Sequence, residues 1–189
     1  MANIDKHKED LINAVNSLNI KEIENLAVRI KKLVKTNKAL FVIGNGGSSA
    51  TASHMVCDLQ KTVLGKSPST YKGARLKAVC LADNVPLVTA WSNDDSYDLI
   101  FSEQLKNMGA RGDLLIVITG SGNSKNILEA LKTASKLKID TFGFLGFDGG
   151  KALKLTDKYI LARSEHYGIV EDVHMILDHI LTEVLKDMF

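Results

Sequence analysis

Two rhythms of apolar residues alternate along the chain. From Ile4 to Leu18 and from Ile20 to Lys35 the apolar positions recur every three or four residues, which predicts two amphipathic helices. In the second, Ile23, Leu26, Ala27, Ile30 and Leu33 form a stripe with lysines and glutamates opposite. A stripe this long outside the sheet pattern is expected to pack on another subunit. Short continuous apolar blocks then follow at Ala39–Ile43, Leu76–Ala82, Asp113–Thr119, Asp140–Leu145 and Tyr159–Ala162. Each block is short and ends in glycine, asparagine or another turn former, the pattern of a strand buried on both faces. Helical patterns lie between and after them, around His54, over Tyr97–Met108, Asn126–Leu137 and Val170–Met188. Pro86 falls where a first helical turn tolerates it. Residues 64–75, with Gly65, Pro68 and Gly73, and the polar run Ser92–Ser96 read as loops. Strands alternating with helices predict one α/β domain, a five-stranded parallel sheet with helices on both faces and two leading helices.

Composition narrows the function more than the fold. At 189 residues the chain has room for one sizeable core, and 45% hydrophobic with 24% charged residues is ordinary for a soluble protein. A net charge of +2, with lysines scattered along helix faces, gives no electrostatic case for nucleic acid. No apolar run approaches the roughly 18 residues of a membrane span, and no leader pattern opens the chain. The two cysteines, Cys57 and Cys80, sit in apolar contexts with no paired spacing, which reads as buried free thiols in a reducing compartment and predicts a cytoplasmic protein.

Candidate chemistry sits where strands end. Ala39–Ile43 runs into Gly44-Asn45-Gly46-Gly47, and Ser48-Ser49 opens a helix. A glycine turn at a helix N-terminus offers free backbone N–H groups and the positive end of the dipole, hence an anion site. The third strand ends in Thr119-Gly120-Ser121-Gly122-Asn123-Ser124. Three hydroxyls and successive N–H groups suit a phosphate monoester, although a solvated turn uses the same residue types. Both turns follow strand carboxyl ends, so they can face one crevice. There is no GxxxxGK[ST] signature. The start of a dinucleotide fingerprint at Gly44-Asn45-Gly46 fails, because Ser49 stands at the third glycine and no acidic residue ends the second strand.

His54 and Asp58 lie four residues apart on the helix after the first turn, so they share a face. In the last helix Glu171, His174, Asp178 and His179 crowd together. At 3.6 residues per turn, Glu171 and His179 lie roughly 80° apart and His174 roughly 60° to the other side. Two histidines and two carboxylates suit zinc or another divalent first-row ion. Helical spacing leaves open which of His174 and His179 takes part.

Gly44-Asn-Gly-Gly-Ser-Ser49, Ser92-Asn-Asp94, Ser121-Gly-Asn-Ser124 and Glu171-Asp-Val-His-Met-Ile-Leu-Asp-His179, in this order, resemble the sugar isomerase (SIS) domain, and within it the phosphoheptose isomerases. The resemblance spans nearly the whole chain. It implies a flavodoxin-like three-layer sandwich, with residues 37–189 as the SIS domain and residues 1–36 as oligomerisation helices of the same unit. It further implies a homotetramer with active sites between subunits. By resemblance the substrate contacts are Asn45, Gly46, Gly47, Ser48, Asn93 and Asp94, and the phosphate loop is Thr119, Gly120, Ser121 and Ser124. One Zn2+ per subunit would be held by His54, Asp58, Glu171 and His179, which resolves the histidine choice against His174. Asp58 and Glu171 also face the substrate, with Asp58 as catalytic base and His179 as proton relay. Glu171 can exchange roles with Asp58.

The chain departs from the family pattern in four places. Asp58 stands for a glutamate, Glu171 for a glutamine, Gly168-Ile169 for an Asp-Arg pair, and Gly120 for a hydroxyl residue. The expected reaction is conversion of sedoheptulose 7-phosphate to D-glycero-D-manno-heptose 7-phosphate through an enediolate, supplying heptose for a surface polysaccharide. The alternatives are an isomerase of another sugar phosphate, a SIS protein that binds a partner such as a replication initiator, and a phosphosugar-sensing regulator. Retention of both histidines and two carboxylates speaks against a pure binder. The leading helices lack the basic recognition helix a regulator needs.

Overall fold

A computed structural model describes residues 3–65 and 68–189. Residues 66 and 67, inside the stretch read as loop, and residues 1 and 2 lie outside the described residues. Helices α1 (Ile4–Asn16) and α2 (Ile20–Lys35) lead into β1 (Ala39–Gly44) and α3 (Gly47–Gln60). Then come β2 (Lys77–Cys80), α4 (Val85–Asp94), α5 (Ser102–Met108), β3 (Leu114–Thr119) and α6 (Lys125–Leu137). The chain closes with β4 (Asp140–Gly146), β5 (Lys158–Ala162) and α7 (Tyr167–Lys186).

The five strands form one sheet in the order β2-β1-β3-β4-β5, and every pairing is parallel. Strand order reverses between β1 and β3. Gly44 pairs with Ile118, so the turns that leave these two strands begin side by side. The side-chain period of two divides the strands between two cores. Leu40, Val42, Leu114, Ile116, Ile118, Phe142 and Phe144 face α2, α3 and α7, whereas Phe41, Ile43, Leu115, Val117 and Leu145 face α5 and α6. Continuous apolar strands are therefore required here, since neither sheet face meets water.

The α2 stripe departs from expectation. Ile23, Leu26, Ala27, Ile30 and Leu33 are all at most 1% exposed inside this subunit, packed into the same core as α7. The stripe is thus accounted for by the chain itself and carries no argument for an oligomer.

Three local readings also change. Ser92-Asn93-Asp94 is not loop but the last turns of α4. Asn84 caps that helix by accepting from Leu87 N–H, and the Thr89 and Ser92 hydroxyls donate back to the carbonyls of Val85 and Val88. Those back-bonds satisfy the hydroxyls within the helix, so polar residues extend it rather than end it. The helix expected over Tyr97–Met108 is split into a single 3-10 turn at Tyr97–Leu99 and α5, with the Ser96 hydroxyl accepting from Asp98 N–H at 3.1 Å. Cys57 is exposed on α3, against the expectation of a buried thiol. Cys80 is buried, and burial pushes its thiol up to about 12.

Candidate active site at the sheet switch point

The first turn is made by Gly46, whose φ of +54° lies in the region open to glycine, and α3 starts at the next residue. Ser48 is buried in the first turn of α3. Asn45 is tied to the other loop: it and Asn126, in the first turn of α6, exchange side-chain amide hydrogen bonds of 2.9 and 2.8 Å. The Tyr97 hydroxyl donates to the same Asn45 oxygen at 2.9 Å. The two loops that sequence placed after different strands are thus locked into one wall.

The second loop satisfies itself. The buried Thr119 hydroxyl oxygen accepts from Gly122 N–H at 3.2 Å, and the Ser121 hydroxyl oxygen accepts from Asn123 N–H at 3.3 Å. Asn123 is held at both ends, donating to the Ser121 carbonyl and accepting from Lys151 N–H. Gly122 has φ +62°, and a Cβ there would stand 2.0 Å from the Gly149 carbonyl oxygen. Ser124 precedes α6 without using its hydroxyl as a cap. At Gly120, where the family carries a hydroxyl, a Cβ would stand 3.1 Å from the Tyr167 ring, which itself packs edge-on against Phe147. Asn93 and Asp94 are exposed at the end of α4 and bonded to each other at 2.8 Å. In that segment it is Tyr97 that reaches the glycine turn.

The second centre forms where α3 crosses α7. The Nε2 atoms of His54 and His179 are 3.2 Å apart, and Asp58 Oδ2 is 3.6 Å from His54 Nε2. Thr62 donates its hydroxyl to Asp58 Oδ1 at 2.7 Å. Asp178 completes the group: one potential ligand atom from each of His54, Asp58, Asp178 and His179 lies within 4.8 Å of all the others. Glu171 does not join this cluster. Its carboxylate lies over the start of α3, 2.7 to 2.9 Å from where a Gly47 Cβ would be. His174 is buried on the far side, 6.2 Å from Phe144 between ring centroids.

The donor set fits a divalent first-row ion. Tetrahedral bonds of about 2.05 Å would space two nitrogens by about 3.3 Å, close to the observed imidazole separation. Asp178 is fully buried and neither carboxylate oxygen has a hydrogen-bond partner. Such a group calls for a cation or a proton. Burial first, then the Asp58 carboxylate, push Asp178 up to about 7. His174 shows the opposite response. Burial lowers it to about 4, and the Leu145 carbonyl opposes the shift without forming a hydrogen bond to either ring nitrogen.

Sequence reasoning missed the roles of Asn126, Tyr97 and Asp178. The first two bond across gaps of 81 and 52 residues and leave no local pattern. Asp178 did leave one, a carboxylate inside the apolar run Met175–Leu181, immediately before His179.

Comparison with known proteins agrees with this geometry. The sequence profile of the SIS domain family matches residues 6–146. A probable phosphoheptose isomerase of Thermoplasma acidophilum is 32% identical over 97% of this chain and 98% of its own. The phosphoheptose isomerase of Sulfurimonas denitrificans is 34% identical over 96% of this chain and 86% of its own. Among solved structures, a phosphoheptose isomerase from Neisseria gonorrhoeae superposes with a TM-score of 0.87 at 25% identity, covering 97% of each chain. One from Francisella tularensis gives the same score and identity over 99% of this chain and 100% of its own.

Proposed function

The chain belongs to the SIS domain family, and we propose that it is a phosphoheptose isomerase, converting sedoheptulose 7-phosphate to D-glycero-D-manno-heptose 7-phosphate. One observation carries the reading. Helix α3 holds the glycine turn at its N-terminus and His54 and Asp58 two turns further on. Seven residues of helix separate Gly47 from His54 by about 10 Å, so one rigid element bears an anion site and a site for carbonyl chemistry. The adjoining Thr119, Ser121 and Ser124 would bind the phosphate through hydroxyls and backbone N–H groups, with Asn45 oriented by Asn126 and Tyr97 to meet the sugar.

A divalent ion, which we take to be zinc, would be held by His54, Asp58, His179 and a carboxylate from α7, and it supplies Lewis-acid polarisation of the sugar carbonyl. The protein's own task is proton movement. A carboxylate takes the proton from C1 of the ketose, and its electrons form the C1–C2 double bond of the enediol. The proton returns to C2 while the hydroxyl proton passes from O1 to O2. Asp58 and Glu171 are the candidate bases, with His179 as relay. The proposal includes a homotetramer with inter-subunit sites, residues 1–36 serving assembly, and a cytoplasmic setting in which Cys57 and Cys80 remain thiols. No helix among the described residues is long and apolar enough to cross a membrane.

The test is turnover of sedoheptulose 7-phosphate by purified protein, followed by NMR before chelation, after it, and after zinc is restored. Activity lost and regained supports reaction and metal together. Absence of conversion in the zinc-loaded protein refutes the reading.

A further inference from the structure

The proposed centre contains one carboxylate too many. Asp58, Asp178 and Glu171 all lie near the two imidazoles, yet their surroundings differ. Asp58 is 9% exposed, with one oxygen taken by Thr62 and the other turned to His54. Asp178 is 0% exposed and has no hydrogen-bond partner on either oxygen, although it lies in the same cluster. Glu171 is exposed and stands over the first turn of α3, beside the glycine turn.

We infer that Asp178, not Glu171, completes the metal centre with His54, Asp58 and His179, and that Glu171 is thereby free to act as the carboxylate that moves the substrate proton. The first half rests on geometry and burial alone; the second rests on the isomerase reading. A buried carboxylate with no donor is costly unless a cation meets it, and this is the one carboxylate of α7 aimed at the imidazole pair. Coordination removes that cost. Glu171 has the opposite properties. It is solvated, outside the cluster, and on the side of α3 where an anionic sugar would dock. A general base has to reach a C–H bond and exchange its proton, which a buried ligand oxygen cannot do freely. With separate residues in the two roles, no single carboxylate has to be both ligand and base. Asp178 lies one residue before His179 on the same helix, so one short stretch of α7 contributes both a nitrogen and an oxygen donor.

Binding of zinc alone to the full-length protein and its variants, by calorimetry, decides the ligand. Asp178→Asn is expected to weaken zinc by at least about 10- to 100-fold, the loss seen when even an outer partner of a metal ligand is removed, while Glu171→Gln stays within about threefold. Because Asp178→Asn could act through misfolding, a second readout uses cobalt(II). Asp178→Cys should add thiolate-to-cobalt charge-transfer absorption to the wild-type spectrum, and Glu171→Cys should not. Zinc loss in Glu171→Gln with retention in Asp178→Asn overturns the inference. So does a silent Asp178→Cys spectrum, or a wild-type protein that binds no zinc. With metal still bound, Glu171→Gln should lower turnover of sedoheptulose 7-phosphate by about 10²- to 10⁴-fold. Undiminished turnover removes Glu171 as base. If the wild-type protein binds zinc but does not turn over this sugar, the base assignment falls with the isomerase reading, and the ligand assignment stands on the metal data.

Discussion

The two ends of α3 are built on opposite rules. At its N-terminus the glycine turn and the Thr119–Ser124 loop have their polar groups partnered within the chain, through Asn45 with Asn126, Thr119 with Gly122, and Asn123 with Ser121 and Lys151. Near its C-terminus, where α3 meets α7, His174, Asp178 and Thr182 bury polar atoms with no partner among the described residues. The first end is complete as folded and waits for a ligand from outside. The second is under-satisfied as folded and becomes favourable only when something charged enters. Preorganisation for phosphate and deficit at the metal-type cluster are thus separable properties of one helix.

The largest effect should come from emptying the deficient end. His179→Ala removes one imidazole of the pair and the proposed relay, so kcat/KM should fall by about 10²- to 10⁴-fold. Inorganic phosphate binding, titrated by calorimetry, should change little, because the loops do not depend on His179. Equal loss of phosphate binding would break the distinction between the two ends.

The pH dependence of the metal-free protein comes next. Asp178 is raised from 3.8 to about 7, so between these values the native state holds a proton that the unfolded state has lost, and stability falls as pH rises through the window. His174 is lowered from 6.5 to about 4, so the unfolded state binds the extra proton there, and stability falls as pH drops. The slopes oppose each other between about 4 and 6.5, and wild-type stability should be nearly flat with respect to these two groups. Asp178→Asn leaves only the His174 term, so urea denaturation should then show stability rising with pH across this window, by a few kcal/mol at most. A variant as flat as wild type would contradict the burial of one of the two groups.

The smallest effect belongs to the complete end. Gly122→Ala combines a left-handed backbone with a Cβ directed at the Gly149 carbonyl. It should cost about 1–2 kcal/mol from the backbone alone, with a further loss from the clash. Urea midpoints measure the stability, and phosphate titration should show weaker binding while zinc binding is kept. Zinc lost in parallel would mean that the two ends are not independent.

Legibility from sequence followed the same division. Gly44–Gly47 and Thr119–Ser124 were readable because a glycine turn after an apolar strand is a local signal, and both loops do meet at the reversal in strand order. His54 and Asp58 were readable as an i, i+4 pair. The side of α7 that reaches them was not, because helical spacing within α7 says nothing about its rotation against α3. The family likeness pointed to Glu171 and His179. The folded chain brings Asp178 and His179 to the pair and leaves Glu171 over Gly47. The α2 stripe failed for a related reason, since an amphipathic pattern demands burial without naming the surface that provides it.

What the sequence determined by itself is the order of strands and helices, the two-sided burial of the sheet, and the turns that bear hydroxyls and free N–H groups. Those follow from apolar period and from glycine, which act within a few residues. Only the tertiary structure decided which side chains 81 or 125 residues apart would touch, as in Asn45 with Asn126 and His54 with His179. It also decided which carboxylate of α7 is stripped of water. Packing angles between helices depend on the whole core, and desolvation depends on those angles. A carboxylate's surroundings therefore become known only when the chain is folded.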